Sequence, residues 1–247
     1  MMRKGSRVSQ SYLTPDNDSH PRIVALIPAY NEQARIGATV QAVRAIDIVD
    51  RVIVIDDGSR DDTARIAEKH GAKVIRSLRN VGKGGALNAA AKRCEDADII
   101  LLLDADLEES ASQAILLLEP VIAGVADMTI ASFPPAAKAG FGLVKNLAMR
   151  CIQEASMQEG AHDFIPTAPL SGQRALTREC LDATLPFGSG YGAEVTLTVR
   201  ALRSGMRILE VPTTMHHAAT GRDMAGFIHR GRQYVHVWLA TRKLKRG

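Results

Sequence analysis

The fold class the sequence predicts is α/β, with a mostly parallel central sheet flanked by helices. Three observations predict it. Short β-branched runs alternate with apolar patterns at helical spacing from residue 22 onward. Each early strand ends in polar residues, which such a sheet collects along one edge. The length, 247 residues, suits one large domain with a real core.

The elements follow in order. "RIVALIP" (22–28) is a buried-strand signal, and "NEQARIGATVQAVRAI" (31–46) carries apolar residues at 36, 40, 43 and 46, which is helical spacing. "RVIVID" (51–56) predicts a second strand, broken by "DGS". "DDTARIAEKHG" (61–71) predicts a helix with acidic residues in its first turn and Gly71 as its stop. "KVIRS" (73–77), "GGALNAAAKRC" (84–94) and "DIILLLD" (98–104) continue as strand, helix, strand. The pattern then loosens. Residues 110–124 predict a helix, "DMTIAS" (127–132) a strand, "FPPAAKAG" a breaker and 141–158 a helix. "IPTAPLSGQRAL" (165–176) reads as loop and turn, 190–205 as a helix and "RILEVPT" (207–213) as a last strand. The expected organisation is a flexible arm at 1–20, one catalytic domain at 21–221 divided near residue 109, and a basic amphipathic helix at 222–247.

Composition narrows the class. Aromatic residues make up only 4% of the chain, which argues against a stacking surface for single-stranded nucleic acid. Cys94, Cys151 and Cys180 are odd in number and lack CxxC spacing, so a reducing cytoplasm is expected and a cysteine metal cluster is not. The N-terminal arm has no apolar core of a signal peptide, and no run approaches 18 apolar residues. The net charge of +4 is uneven, because 222–247 alone carries +6. That segment spaces Phe227, Ile228, Tyr234, Val235, Trp238 and Leu239 near helical periodicity among basic residues. Two readings stay open for it: packing on the body or on a second subunit as a homodimer, or peripheral attachment to anionic lipid at the inner membrane face.

The strand tips carry the chemistry. "IILLLDAD" (99–106) buries an apolar run and then places Asp104 and Asp106 at its end. Like charges so close require a cation between them, and oxygen donors suit Mg²⁺ or Mn²⁺. "PAYNE" and "DDGS" end the first two strands on the same edge. Gly82, Gly84 and Gly85 surround Lys83 at a helix entrance, an anion site by backbone and charge. Aspartates at strand ends are also common turn and N-cap residues, and "GKGGAL" lacks Walker A spacing. The conjunction in this order is what points to a metal–diphosphate ligand.

In that order, "IPAYNE", "VIVIDDGSRDDT", "GKGGALNAA" and "LLLDADLE" resemble the nucleotide-sugar half of family 2-type glycosyltransferases, with the Rossmann-like glycosyltransferase A fold. The match spans residues 22–109. The resemblance implies an enzyme moving a hexose from a UDP-sugar, UDP-glucose first, to an acceptor hydroxyl. It implies that Pro28, Ala29, Tyr30 and Glu32 surround the nucleoside, that Asp57 sits near the base, and that Lys83 faces the diphosphate. Asp104 and Asp106 would form the DxD metal motif.

The segment at 169–201 resembles the acceptor half of glucosyl-3-phosphoglycerate synthases, a retaining group, whose "GYG-x-E" element maps to Gly190, Tyr191, Gly192 and Glu194. "VPTTMHHAATGRD" matches the stretch where a histidine completes the metal site, and His217 is favoured over His216. Two departures stand out: Phe141 in "AGFGLV" where a cation is expected, and Ala218 and Ala219 after the histidine pair. They put a phosphoglycerate acceptor in doubt. Glu194 either deprotonates the acceptor, if configuration inverts, or positions the sugar, if it is retained. Retention is the favoured reading. The competing readings are an inverting transferase acting on polyprenyl phosphate or another lipid-linked acceptor, and a non-catalytic nucleotide-sugar-binding protein. A sugar-1-phosphate nucleotidyltransferase is rejected, because no glycine-rich loop follows the first strand.

Overall fold

The computed structural model describes residues 20–133, 142–158, 164, 166–188 and 192–216. The expectations for the N-terminal arm, Phe141, Gly190, Tyr191, His217, Ala218, Ala219 and the basic segment 222–247 fall outside the described residues. Within them the chain forms a seven-stranded sheet of order β3-β2-β1-β4-β6-β5-β7.

Its first half is the alternation that the apolar spacing predicts. Strands β1 (Ile23–Ala29), β2 (Arg51–Asp56), β3 (Lys73–Arg76) and β4 (Ile99–Leu102) run parallel, with β1 between β2 and β4. Helices α1 (Ile36–Arg44), α2 (Thr63–Lys69) and α3 (Lys83–Ala91) connect them. Side chains alternate across the pleat. Ile23, Ala25 and Ile27 therefore face one core with Val40 and Val43 of α1. Val24 and Leu26 face a second core with Ala86, Leu87 and Ala90 of α3. Both faces are covered, which is why these strands read as continuous apolar runs.

The second half departs from the sequence reading in three places. Residues 174–177, read as loop, form strand β6 (Arg174–Thr177), followed by a helix α6 (Arg178–Thr184) that the sequence reading lacks. Four residues opening on an arginine give too short a pattern to register as a strand. The Thr177 hydroxyl caps α6 by accepting from the Cys180 amide. The helix expected over 110–124 is a 3₁₀ turn, Glu108–Ala114, followed by α4 (Ile115–Ile122). The acids expected in the first turn of α2 precede it instead: Asp61 accepts from the Thr63 amide at 3.0 Å and fixes the helix entry.

Strand β6 runs antiparallel to both β4 and β5 (Met128–Ser132), and β7 (Ile208–Pro212) runs parallel to β5. The carboxyl ends of β1 to β5 and β7 therefore share one edge, and the reversed β6 brings the residues before it, 171–173, to that same edge. Helix α5 (Gly142–Gln158) packs with α7 (Ala193–Arg203) through Ala148, Ile152, Val195 and Val199, over the second core.

The turn after β4 is pinned from α1. The fully buried Thr39 hydroxyl donates to the Ala105 carbonyl at 2.9 Å and accepts from the Glu108 amide at 2.8 Å. Glu108 itself sits at φ 50°, a left-handed conformation that such bonds hold in place. Thr39→Val keeps the side-chain shape but leaves a buried carbonyl and an amide without partners. It is expected to lower stability by about 1–3 kcal/mol, read as a lower urea midpoint at unchanged slope.

Candidate functional site

The site is built around Lys83, the first residue of α3. Its ammonium lies 2.6 Å from Asp104 Oδ1 and 2.9 Å from Glu194 Oε1. Three elements meet there: the start of α3, the turn after β4, and the first turn of α7, where Gly192 and Ala193 precede Glu194. The lysine side chain is 27% exposed and that of Glu194 only 9%. Burial alone would lower the lysine's pKa, but Asp104 and Glu194 outweigh it and raise the pKa above the usual lysine value. The charge is thus kept at neutral and mildly alkaline pH. Its stabilising effect is complete below the unfolded-state lysine pKa and fades only as pH climbs through the higher folded value.

The second oxygen of Asp104 is also engaged. Gln173 Nε2 donates to Oδ2 at 2.7 Å, and the Ser171 hydroxyl in turn donates to Gln173 Oε1 at 3.1 Å. The segment Ser171–Gly172–Gln173 thus closes over the Lys83–Asp104 pair from the β6 side. Asp106, two residues on, lies near enough to Glu32 to help raise its pKa. Burial is the larger cause there, and the Arg35 guanidinium, 2.6 Å away, opposes both.

The nucleoside-side residues predicted from sequence gather at the same edge. Pro28 and Ala29 end β1, Tyr30 is 41% exposed, and the Glu32 amide donates to the Thr63 hydroxyl at 2.8 Å. Asp57, expected near the base, bonds the loop that leads into α3. It is buried, and its two oxygens accept from the Val81 amide at 2.9 Å and the Gly82 amide at 2.7 Å. Of the glycine-loop amides expected to face an anion, that of Gly82 is therefore held by Asp57.

The carboxylates of Asp104 and Asp106 are hard oxygen donors of the kind a divalent cation takes, but both oxygens of Asp104 are engaged here, Oδ1 by Lys83 and Oδ2 by Gln173. Among the described residues no group of three metal-ligating side chains forms. His216 is described: its amide donates to the Ser110 hydroxyl at 3.3 Å, while the Thr214 amide donates to Gln113 at 2.7 Å. These bonds tie residues 214–216 to the 3₁₀ turn that follows the aspartates.

Sequence reasoning named Lys83, Asp104, Asp106 and Glu194, and the structure joins Lys83 to Asp104 and to Glu194. It missed Thr39, Gly172 and Gln173. Only Gly172 left a signal, as a glycine in "LSGQ".

Comparisons with known proteins show the family and the fold. The model of the family "Glycosyl transferase family 2" matches residues 24–178. Glycosyltransferase AglJ of Haloferax volcanii is 34% identical over 85% of this chain and 66% of its own length. Glucosyl-3-phosphoglycerate synthase of Mycobacterium tuberculosis is 31% identical over 72% of this chain and 60% of its own. The chain thus spans two thirds or less of these two relatives. The mycobacterial synthase solved with Mg²⁺ and uridine diphosphate superposes with a TM-score of 0.71, at 27% identity, over 90% of this chain and 79% of the solved one. An undecaprenyl-phosphate mannosyltransferase of Micrococcus luteus is 29% identical over 84% of this chain and 89% of its own length. The sheet and its helices are those of the glycosyltransferase A fold.

Gly172 gives a direct check on this arrangement. A Cβ there would stand 2.3 Å from Lys83 Nζ and 2.9 Å from Asp104 Oδ2. Because the added methyl would push the lysine tip away from its carboxylate, Gly172→Ala is expected to cost roughly 1–3 kcal/mol and to separate Lys83 from Asp104. A crystal structure of the variant would show it; an unchanged 2.6 Å contact would contradict the close-approach role.

Proposed function

The chain belongs to glycosyl transferase family 2, and from that premise we propose that it transfers a hexosyl unit from a UDP-sugar, UDP-glucose first, to an acceptor hydroxyl. The reaction uses Mg²⁺ or Mn²⁺ and retains configuration at the sugar. The observation that carries this reading is the Lys83 ammonium seated between Asp104 and Glu194 at the carboxyl edge of the sheet.

Breaking the sugar–oxygen bond leaves charge on a diphosphate. Asp104, Asp106 and His217 would hold the divalent ion, which would supply a Lewis acid to offset that charge. Lys83 supplies a fixed positive charge beside it in a partly buried site, where such a charge acts with little reorganisation. Pro28, Ala29, Tyr30, Glu32 and Asp57 would line the nucleoside side, and the resemblance assigns Tyr191 and Gly192 to the sugar. Glu194 suits a positioning role better than that of a base. Protonating it would remove one of the two ion pairs that offset the buried Lys83 charge. In the retaining reading the acceptor proton goes instead to the departing phosphate oxygen on the same face.

A second reading, an inverting transferase acting on a polyprenyl phosphate, is favoured by one observation. The undecaprenyl-phosphate mannosyltransferase aligns over most of both chains, whereas the mycobacterial synthase is matched over 60% of its length. In either case the acceptor is less charged than phosphoglycerate, because Phe141 stands where a cation is expected and desolvating a carboxylate and a phosphate without cations is costly. The basic segment 222–247 would face anionic lipid or a second copy of the chain. No helix among the described residues is long and apolar enough to cross a membrane.

Asp104→Ala and Asp106→Ala are each expected to abolish UDP release from UDP-glucose and to remove the Mn²⁺-dependent part of UDP affinity, with the circular dichroism spectrum unchanged. His217→Ala should weaken the same coupling and His216→Ala should not. Calorimetry of UDP with and without Mn²⁺ decides it, since undiminished metal-dependent affinity in both aspartate variants would rule out the metal assignment.

The acceptor is tested by offering 3-phosphoglycerate, glycerol phosphate, simple polyols and polyprenyl phosphate with UDP-glucose and Mn²⁺, detecting product by mass. Product on a polyol or on polyprenyl phosphate is expected. Efficient transfer to 3-phosphoglycerate would show that Phe141 and Ala218 do not exclude that anion.

A further inference from the structure

Arg174, the first residue of β6, is completely buried. Its Nε donates to the Ser171 carbonyl at 2.9 Å and its Nη1 to the Thr198 hydroxyl at 2.8 Å, with Met128 Sδ at 3.7 Å. Among the described residues its Nη2 has no hydrogen-bond partner. A buried guanidinium without a bonded carboxylate is an expensive feature, and an apolar side chain of similar volume would be as stable or more so. Burial draws its pKa down to about 10, and the nearby Glu194 carboxylate is the largest influence opposing that shift.

The two bonded partners show what the guanidinium spans. Ser171 begins the segment whose Gly172 lies against Lys83 and whose Gln173 holds Asp104. Thr198 lies one turn after Glu194 on α7 and donates its hydroxyl to the Glu194 carbonyl at 2.9 Å. One side chain thus bonds the two walls that close on Lys83 from different elements.

We propose that Arg174 is a positioning residue of the transfer reaction, fixing the 171–173 segment to the first turns of α7 so that Asp104 and Glu194 are held on opposite sides of Lys83. The proposal rests on the donor-site reading above. It acts through geometry: Arg174 touches neither donor nor acceptor, and a misplacement of about 1 Å from outside the reacting groups is enough to cost roughly a hundredfold in rate.

The test uses the full chain with Arg174→Met, Arg174→Lys and the milder Thr198→Val. Arg174→Met is expected to keep or raise the urea midpoint and to leave UDP affinity within about twofold. It should lower kcat for Mn²⁺-supported UDP release from UDP-glucose by roughly a hundredfold, with Arg174→Lys regaining part of the loss. In a Glu194→Gln background the same substitution should add little. A second readout needs no turnover: acetylation of Lys83 by acetic anhydride, followed by peptide mass spectrometry, should speed up in Arg174→Met and Thr198→Val while the exposed Lys69 reacts unchanged. Normal kcat, additivity with Glu194→Gln, or loss of UDP affinity in step with stability would overturn the proposal, as would unaltered Lys83 reactivity in Thr198→Val should Arg174→Met fail to fold. Absent UDP release in the wild type would count against the donor reading alone, with the Lys83 reactivity still deciding the role of Arg174.

Discussion

The constraint on which the site depends is a lysine ammonium held away from bulk water by two carboxylates. Removing a charge from solvent is unfavourable by several kcal/mol, and only opposite charges at contact distance recover it. Lys83 therefore has to find Asp104 and Glu194 together. That requirement links a helix start, a strand-end turn and a second helix start that are distant from one another in the chain. Each arrives at the sheet edge for a separate local reason, and the shared charge keeps them in register.

Sheet direction explains how the three arrive. Parallel strands send their carboxyl ends to one side, so the turn after β4 and the entry to α3 share one edge of the sheet. The second half of the chain reaches the same side by reversal. Because β6 is antiparallel to β4, its leading residues, not its trailing ones, lie at the edge, and Gln173 reaches Asp104 from there. This arrangement accounts for the agreement with the mycobacterial synthase over most of the chain at modest identity. The sheet order and the edge polarity can be kept while the surrounding side chains change.

Around the ion pairs the structure spends buried polar groups freely. Thr39 bridges a carbonyl and an amide inside the core, Asp57 consumes two loop amides, and Arg174 carries a charge with one nitrogen unbonded. Satisfied polar networks of this kind hold a turn to one conformation where apolar packing would allow several. The unsatisfied nitrogen of Arg174 has no such stabilising account, and its position between the two walls of the site is the feature that explains its presence.

The sequence by itself determined the parallel half of the fold and the polar edge of its sheet. β-Branched runs and 3.6-residue spacing are local, and Asp104, Asp106 and Lys83 sit next to glycines and strand ends that mark them. Glu194 was visible only through its neighbours in "GYGAE". What the tertiary structure alone decided was β6, the partners of Asp57, and the contacts of Thr39, Gly172, Gln173 and Arg174. The four residues of β6 carry too little period to be read, and its strand character comes from pairing with β4 and β5 on both sides. A threonine that bonds 66 residues away, or a glycine needed because a lysine tip lies 2.3 Å from where its Cβ would be, leaves no mark on the residues beside it. Such requirements are set by distances between elements, and those distances exist only once the sheet has closed.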